Sequence, residues 1–248
     1  MSRRVTDKSE IRRLLNTHRR WSLYALADLD DGMFEHCEWW VHRTSLALVF
    51  RALEIRPIFV LGDSVPELLL SLSERSGYLN LKPEQLEAAR GIYEYRERHH
   101  MRRMFLETPH LRPGSTEWLS VENCAEIERL YATGGGGGTG FAPFQLRSGF
   151  FRGIRRGGEL VAVAGVHVVS LNESVAGLGN IFVHPDYRGK GLAQTVASAV
   201  VTSLREAGIR TIGLNVEDAN GAAIRAYERI GFRTHFDYYE GPADRCTL

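Results

Sequence analysis

The segment that most constrains this chain is Val183 to Gln194, VHPDYRGKGLAQ. The residues before it, Val175 to Val183, read as a strand, which Pro185 stops. The residues after it, Leu192 to Ala207, read as a long helix that Gly208 ends as a left-handed cap. Between them, Gly189 and Gly191 let the backbone approach a ligand closely. The first amides of a helix have no intrahelical acceptors, and with the helix dipole they form an anion site. Arg188 and Lys190 add positive charge, and a pyrophosphate is the natural guest.

The surrounding pattern is a succession of strand, strand, helix, strand, helix, strand. Leu160 to Val169 (LVAVAGVHVV) is apolar on both faces and should be a central strand. Val175 to Val183 follows it, then the long helix. Thr211 to Val216 is the next strand, Asn220 to Ile230 a helix closed by Gly231, and Phe232 to Tyr239 the last strand. Upstream, Glu122 to Tyr131 reads as a helix. Five glycines follow at Gly134 to Gly138. No lysine follows them, so they do not make a phosphate loop of the Gly-Lys-Ser/Thr kind. They suit a plain loop or a lid over a substrate site.

The turn resembles motif A of the Gcn5-related N-acetyltransferase (GNAT) superfamily, Arg/Gln-x-x-Gly-x-Gly/Ala. It reads here Arg188-x-x-Gly191-x-Ala193, preceded by Val183 and Pro185. A second stretch, Asn220-x-x-Ala223-x-x-x-Tyr227-x-x-x-Gly231-Phe232, resembles a further signature of the same superfamily. The resemblance covers residues 116–248. It implies an α+β GNAT fold, a mixed and mostly antiparallel sheet flanked by helices, with acetyl-CoA as co-substrate. It implies that the backbone of Ile181 and Val183 pairs with the pantetheine arm as an added strand would. The amides of Gly189, Lys190, Gly191, Leu192, Ala193 and Gln194, beside Arg188, would hold the pyrophosphate. Asn220 would bond to the pantetheine. Tyr227 would protonate the leaving thiolate, since a phenol of pKa about 10 stays protonated at neutral pH. An amide near Ile181 or Phe182 would stabilise the tetrahedral oxyanion.

The chain departs from the pattern at the base. Relatives carry a glutamate where this chain has Gly177, or another where it has Asn215. His167 on the central strand could titrate near neutrality, or it could be a core residue. Asn180 could hold a water that passes the proton outward. Glu173 and Glu217 sit at strand ends and read as solvated.

At 248 residues the chain suits one large domain or two small ones. Pro109, Pro113 and Gly114 break regular structure and place the boundary near residue 115. Residues 1–115 then form a mixed α/β domain, and residues 116–248 the acetyl-CoA-binding catalytic domain. The first part has expected helices at 9–28, 65–72 and 82–89 and strands at 56–61 and 101–106, with 46–53 open between strand and helix. It carries no second phosphate turn, which suits a degenerate half-copy of the same fold. Trp21, Trp39 and Trp40 read as core, or as walls of a substrate cleft.

A formal net charge of +1 selects neither nucleic acid nor an anionic membrane as partner. The three cysteines, Cys37, Cys124 and Cys246, are isolated, which argues against a disulfide framework and a zinc site. A reducing, cytoplasmic home is expected. No apolar run is long enough to span a membrane, and the N-terminal residues do not read as a signal peptide. Three functions fit: acetyl transfer to a primary amine, transfer of a longer acyl chain, or a non-catalytic acyl-CoA sensor. Oligomeric state, monomer or homodimer, stays open.

Overall fold

The computed structural model describes residues 1–134 and 140–247. Most of the glycine run, Gly135 to Gly138, lies outside the described residues, and with it the expectation of a lid. The chain forms two compact units. One comprises Met1–Arg103, Glu217–Ala219 and Thr234–Leu248; the other comprises Met104–Val216 and Asn220–Arg233. The units are discontinuous in sequence, a division that a single linker near residue 115 does not express.

The first unit begins with β1 (Arg3–Val5), α1 (Lys8–Leu15), α2 (Leu23–Ala27) and α3 (Asp31–Phe34). A meander follows, β2 (Cys37–His42), β3 (Ser45–Phe50) and β4 (Pro57–Leu61), then α4 (Val65–Ser71), β5 (Ser76–Leu81), α5 (Pro83–Ala89), β6 (Tyr93–Tyr95) and β7 (His99–Leu106). Neighbouring strands pair antiparallel from β1 to β4, and β4 pairs parallel with β5 across the α4 crossover. The helix expected over 9–28 is broken. Asn16 Nδ2 bonds the Arg12 carbonyl at 2.9 Å and Thr17 Oγ1 bonds the Leu14 carbonyl at 2.7 Å. These side chains satisfy carbonyls that a continuing helix would have used. The chain then turns so that Trp21, 1% exposed, enters the core and donates to the Val60 carbonyl at 3.2 Å. Trp39 is equally buried. Of residues 46–53, Leu46 to Phe50 lie in strand β3, and the remaining three lie in the loop that follows.

The second unit repeats this order of elements. It runs β8 (Glu117–Leu119), α6 (Cys124–Ala132), β9 (Phe151–Arg156), β10 (Glu159–Ser170), β11 (Val175–Val183), α7 (Leu192–Glu206), β12 (Thr211–Glu217), α8 (Gly221–Arg229) and the first residues of β13 (Phe232–Arg245), whose remainder from Thr234 belongs to the first unit. β8 to β11 pair antiparallel in sequence order. β11 pairs parallel with β12 across the α7 crossover. As expected from its two apolar faces, β10 lies between two strands. On α7, Val196, Ala197, Val200, Val201 and Leu204 are buried at helical spacing and pack on the core.

The two crossovers differ where it matters for anions. In the first unit the turn from β4 to α4 gives its amides away: Ser45 Oγ accepts from both Asp63 N and Ser64 N at 3.1 Å. Those two amides are committed to Ser45, and the turn lacks the glycine and cation pattern of the second crossover. In the second unit the corresponding turn is open.

Candidate active site

The site is built around a defect in β11. The β10–β11 register runs from Val163↔Phe182 to Gly165↔Gly179, so Asn180 and Ile181 together face Ala164 alone. This is a β-bulge. Asn180 takes φ 54, a left-handed conformation that asparagine tolerates better than most residues. It is held there on three sides. Its Nδ2 donates to Gln145 Oε1 at 3.0 Å and to the Val166 carbonyl at 3.2 Å. Its own carbonyl accepts from the buried Tyr131 hydroxyl at 3.0 Å.

Below the bulge β11 is paired with β12, from Val175↔Thr211 to Leu178↔Leu214. Among the described residues the pairing stops there, although both strands continue. The β11 stretch from Gly179 to Val183, including half-buried Ile181, Phe182 and Val183, thus has a strand partner on the β10 side only. Its free edge presents peptide groups to which an extended, amide-bearing chain could bond.

That edge leads into the turn. Pro185–Tyr187 forms a 3-10 turn, Arg188 is extended, and Gly189 and Gly191 take φ 75 and 77. Gly191 is the N-cap of α7, and no side chain caps it. The first helical bond runs from Thr195 N to Gly191 O at 3.1 Å. The amides of Leu192, Ala193 and Gln194 therefore lie ahead of the intrahelical ladder. Arg188 Nε donates to the Val183 carbonyl at 3.2 Å, and Lys190 Nζ to the Asp186 carbonyl at 3.2 Å. Both cations brace the turn through carbonyl oxygens and leave their charge for an anion.

α8 brings the second group. Asn220 caps it, Oδ1 accepting from Ala223 N at 3.1 Å, which leaves Nδ2 for other partners. Tyr227 lies seven residues on, two helical turns and so on the same face. Its ring packs edge-on to Phe232 with centroids 6.3 Å apart. Its hydroxyl has no hydrogen-bond partner among the described residues. Burial pushes its pKa up to about 12.

Where an acid was missing, the structure brings a histidine. His167 is an extra residue in β10, between the pairs Val166↔Leu178 and Val168↔Gly177. Its ring lies directly over Gly179, where any Cβ would strike it. Gly177 and Gly179 point to one face of β11. The imidazole therefore occupies the face toward which a glutamate at 177 would have projected. Burial lowers the His167 pKa from its ordinary value, opposed by a hydrogen bond to the Gly140 backbone. The ring is neutral at pH 7, with one nitrogen able to accept a proton.

The other acidic candidates stand differently. Glu173 is 7% exposed, in the turn between β10 and β11, so the expectation that it is solvated fails. Its amide bonds Ser170 Oγ at 3.0 Å, a tight turn that draws the residue inward. In the first unit the Glu217 carboxylate lies 3.5 Å from His99 Nδ1. No cluster of His, Cys, Asp and Glu that could hold a metal occurs among the described residues. No helix among them is long and apolar enough to cross a membrane. The cysteines are free.

Sequence reading found the turn and the α8 face. It missed Tyr131 and Gln145, which hold the bulge, and Gly179, which seats His167. It placed a domain boundary within residues 107–116 and did not foresee that Arg112 N donates to Ser198 Oγ on α7 at 2.9 Å. Prolines and glycine there announce a break, not what the broken chain packs on.

Residues 139–232 match the family model of the acetyltransferase (GNAT) family, and this segment is a GNAT acetyltransferase domain. The [ribosomal protein bS18]-alanine N-acetyltransferase of Escherichia coli K12 is 38% identical over 79 residues, 32% of this chain and 51% of the relative. The chain thus spans about half the length of that relative. A mycothiol acetyltransferase of Thermobispora bispora is 36% identical over 89 residues, 34% of this chain and 30% of the relative. In fold, the chain is similar to a GCN5-related N-acetyltransferase from Sphaerobacter thermophilus. The TM-score is 0.60 at 12% identity, covering 100% of this chain and 96% of that one. The whole chain, first unit included, therefore has a counterpart of the same fold class.

Proposed function

We propose that this chain, through its GNAT domain, transfers an acetyl group from acetyl-CoA to a primary amine. Residues 116–248 are the coenzyme-binding catalytic part, and residues 1–115 a half-copy that binds no coenzyme. The observation that carries the reading is the continuity of the open β11 edge with the uncapped start of α7. One holds an extended amide-bearing arm and the other a pyrophosphate, in the order in which coenzyme A carries them. Arg188 and Lys190 neutralise the pyrophosphate, and the amides from Gly189 to Gln194 bond it. Asn220 Nδ2 donates to the pantetheine arm.

The thioester then lies at the bulge, with the amide of Ile181 or Phe182 toward its carbonyl oxygen. The neutral amine attacks the carbonyl carbon, giving a tetrahedral centre with an oxyanion and a protonated nitrogen. His167 takes a proton from that nitrogen. The carbon–sulfur bond breaks, and the thiolate takes the Tyr227 proton; solvent restores both side chains. A phenol of pKa about 12 is a weak acid. The desolvation that raises it also raises the basicity of a thiolate leaving into the same surroundings, so the transfer stays feasible.

The test is acetyl-CoA turnover, read as free thiol, across amino acids, polyamines, aminoglycosides and peptides with free N-termini. Thiol release that depends on one amine class supports the reading and names the acceptor. Tight coenzyme binding with no acceptor-dependent release overturns catalysis in favour of an acyl-CoA sensor. Preference for longer acyl thioesters overturns the acetyl assignment.

A further inference from the structure

The segment before β8 lies along α7. Beyond the Arg112 amide bond to Ser198 Oγ, 2.9 Å long, Gly114 sits against the methyl of Thr195, one helical turn nearer the start of α7. Two contacts thus fix the backbone on either side of the Arg112 side chain. That side chain reaches the phosphate turn. A Cβ built on Gly191 would stand 2.8 Å from the Arg112 Cζ and 3.0 and 3.1 Å from its terminal nitrogens. The guanidinium therefore lies flat against the Gly191 peptide, in space that only a glycine leaves.

Its donors are uncommitted. Arg188 and Lys190 each give a bond to a carbonyl of the turn. The Arg112 guanidinium makes no hydrogen bond or ion pair among the described residues. A guanidinium presents five donors in a planar fork that matches two oxygens of one phosphate.

We propose that Arg112 is a third cation of the phosphate turn and binds the pyrophosphate of the coenzyme directly. This rests on the reading of the turn as an acetyl-CoA site. The pyrophosphate is the group concerned because Gly191 stands at the centre of the turn, immediately ahead of the first helical amides. The more distant 3′-phosphate of the coenzyme is the competing partner of the same chemistry.

The experiment is calorimetric binding of coenzyme A, 3′-dephospho-coenzyme A and pantetheine to the full chain and its Arg112→Ala and Arg112→Lys variants. Arg112→Ala should weaken coenzyme A and the dephospho form alike, each about tenfold, and leave pantetheine unchanged. The slope of log Kd against log salt should shrink in Arg112→Ala, and Arg112→Lys should recover part of the affinity. A loss confined to coenzyme A would overturn the pyrophosphate assignment in favour of the 3′-phosphate. Unchanged or tighter binding by Arg112→Ala, with normal wild-type binding, would overturn the proposal while the acetyl-CoA reading stands. Failure of the wild type to bind coenzyme A would overturn that reading itself. The unliganded melting midpoint of Arg112→Ala should stay within about 2 °C of wild type; a large drop would make Arg112 a structural residue instead.

Discussion

Replacing Tyr227 by phenylalanine separates chemistry from structure, because the hydroxyl does so little for the fold. It bonds nothing among the described residues, while the ring packs on Phe232 and the core. Phenylalanine keeps that packing, so stability should change by less than about 1 kcal/mol. Coenzyme affinity should also hold, since the reading assigns Tyr227 no contact with the bound thioester before reaction. With a pKa of about 12, the wild-type phenol is ionised in about one molecule in 10⁵ at pH 7. The proton is therefore present in essentially every turnover, and no alkaline limb up to pH 9 should trace to this group. A positioned general acid contributes about 10²–10⁴-fold, so single-turnover thiol release should slow by that factor. The assay is a thiol reagent after rapid mixing, with calorimetric Kd and a thermal melt on the same preparation. Release within twofold of wild type would refute the proton-donor role. A parallel loss of coenzyme affinity would make the residue part of the binding surface.

His167→Gln should lower the plateau of kcat/KM about 10²-fold and remove its acid limb. Below its depressed pKa the ring is protonated and accepts nothing, so wild-type activity should fall only below the ordinary histidine range. Gln145 and Asn180 nearby are uncharged, and burial holds Tyr131 protonated; an acid limb that survives in His167→Gln would therefore exclude His167 as proton acceptor. Gly191→Glu should abolish coenzyme binding. It forces a side chain into φ 77 and places a carboxylate on the Arg112 guanidinium, and calorimetry showing retained affinity would refute the turn assignment. Asp28→Asn addresses the first unit. Burial first, then the charge of Asp30, raises the Asp28 pKa from 3.8 to about 7. The folded state holds that proton more tightly, so wild-type stability should be greatest below about pH 4, fall as pH rises to about 7, and stay level above. The variant should be more stable at pH 8 by up to about 4 kcal/mol in urea unfolding; equal stability at pH 8 would contradict the burial of a charge.

What the residues announced was local. Gly189, Gly191, Arg188 and Lys190 spell their turn because each type is chosen by the backbone or the charge at its own position. Tyr227 and Asn220 share a face at a spacing that any helix produces. The strands that escaped notice carry charge or breakers inside them. β9 reads FRGIRR, and its Arg152 is accommodated by lying 3.1 Å over the Trp118 ring and donating to Ser203 Oγ at 2.9 Å. β13 runs through Gly241 and Pro242, where the reading ended the strand at Tyr239. Pro242 survives there because its carbonyl accepts from Arg96 N at 2.9 Å and its missing N–H is not needed. His167 could be named from the sequence but not placed, because its position depends on two register slips between β10 and β11 that no single strand encodes. Arg112 was hidden for a similar reason: its partners are 79 and 86 residues further on.

The early end of the β11–β12 pairing, at Leu178 and Leu214, leaves each strand with an unpaired edge beyond that point among the described residues. Elsewhere sheets blunt such edges with charge or cover them with another element. On the proposed acetyl-CoA reading, the covering element is the arm of the coenzyme, a last strand of the sheet supplied from outside. Affinity and fold stability are then one quantity measured from two directions. Coenzyme at a hundred times its Kd adds about 2.7 kcal/mol against unfolding, and hydrogen exchange at the Ile181 and Val183 amides becomes a direct meter of occupancy.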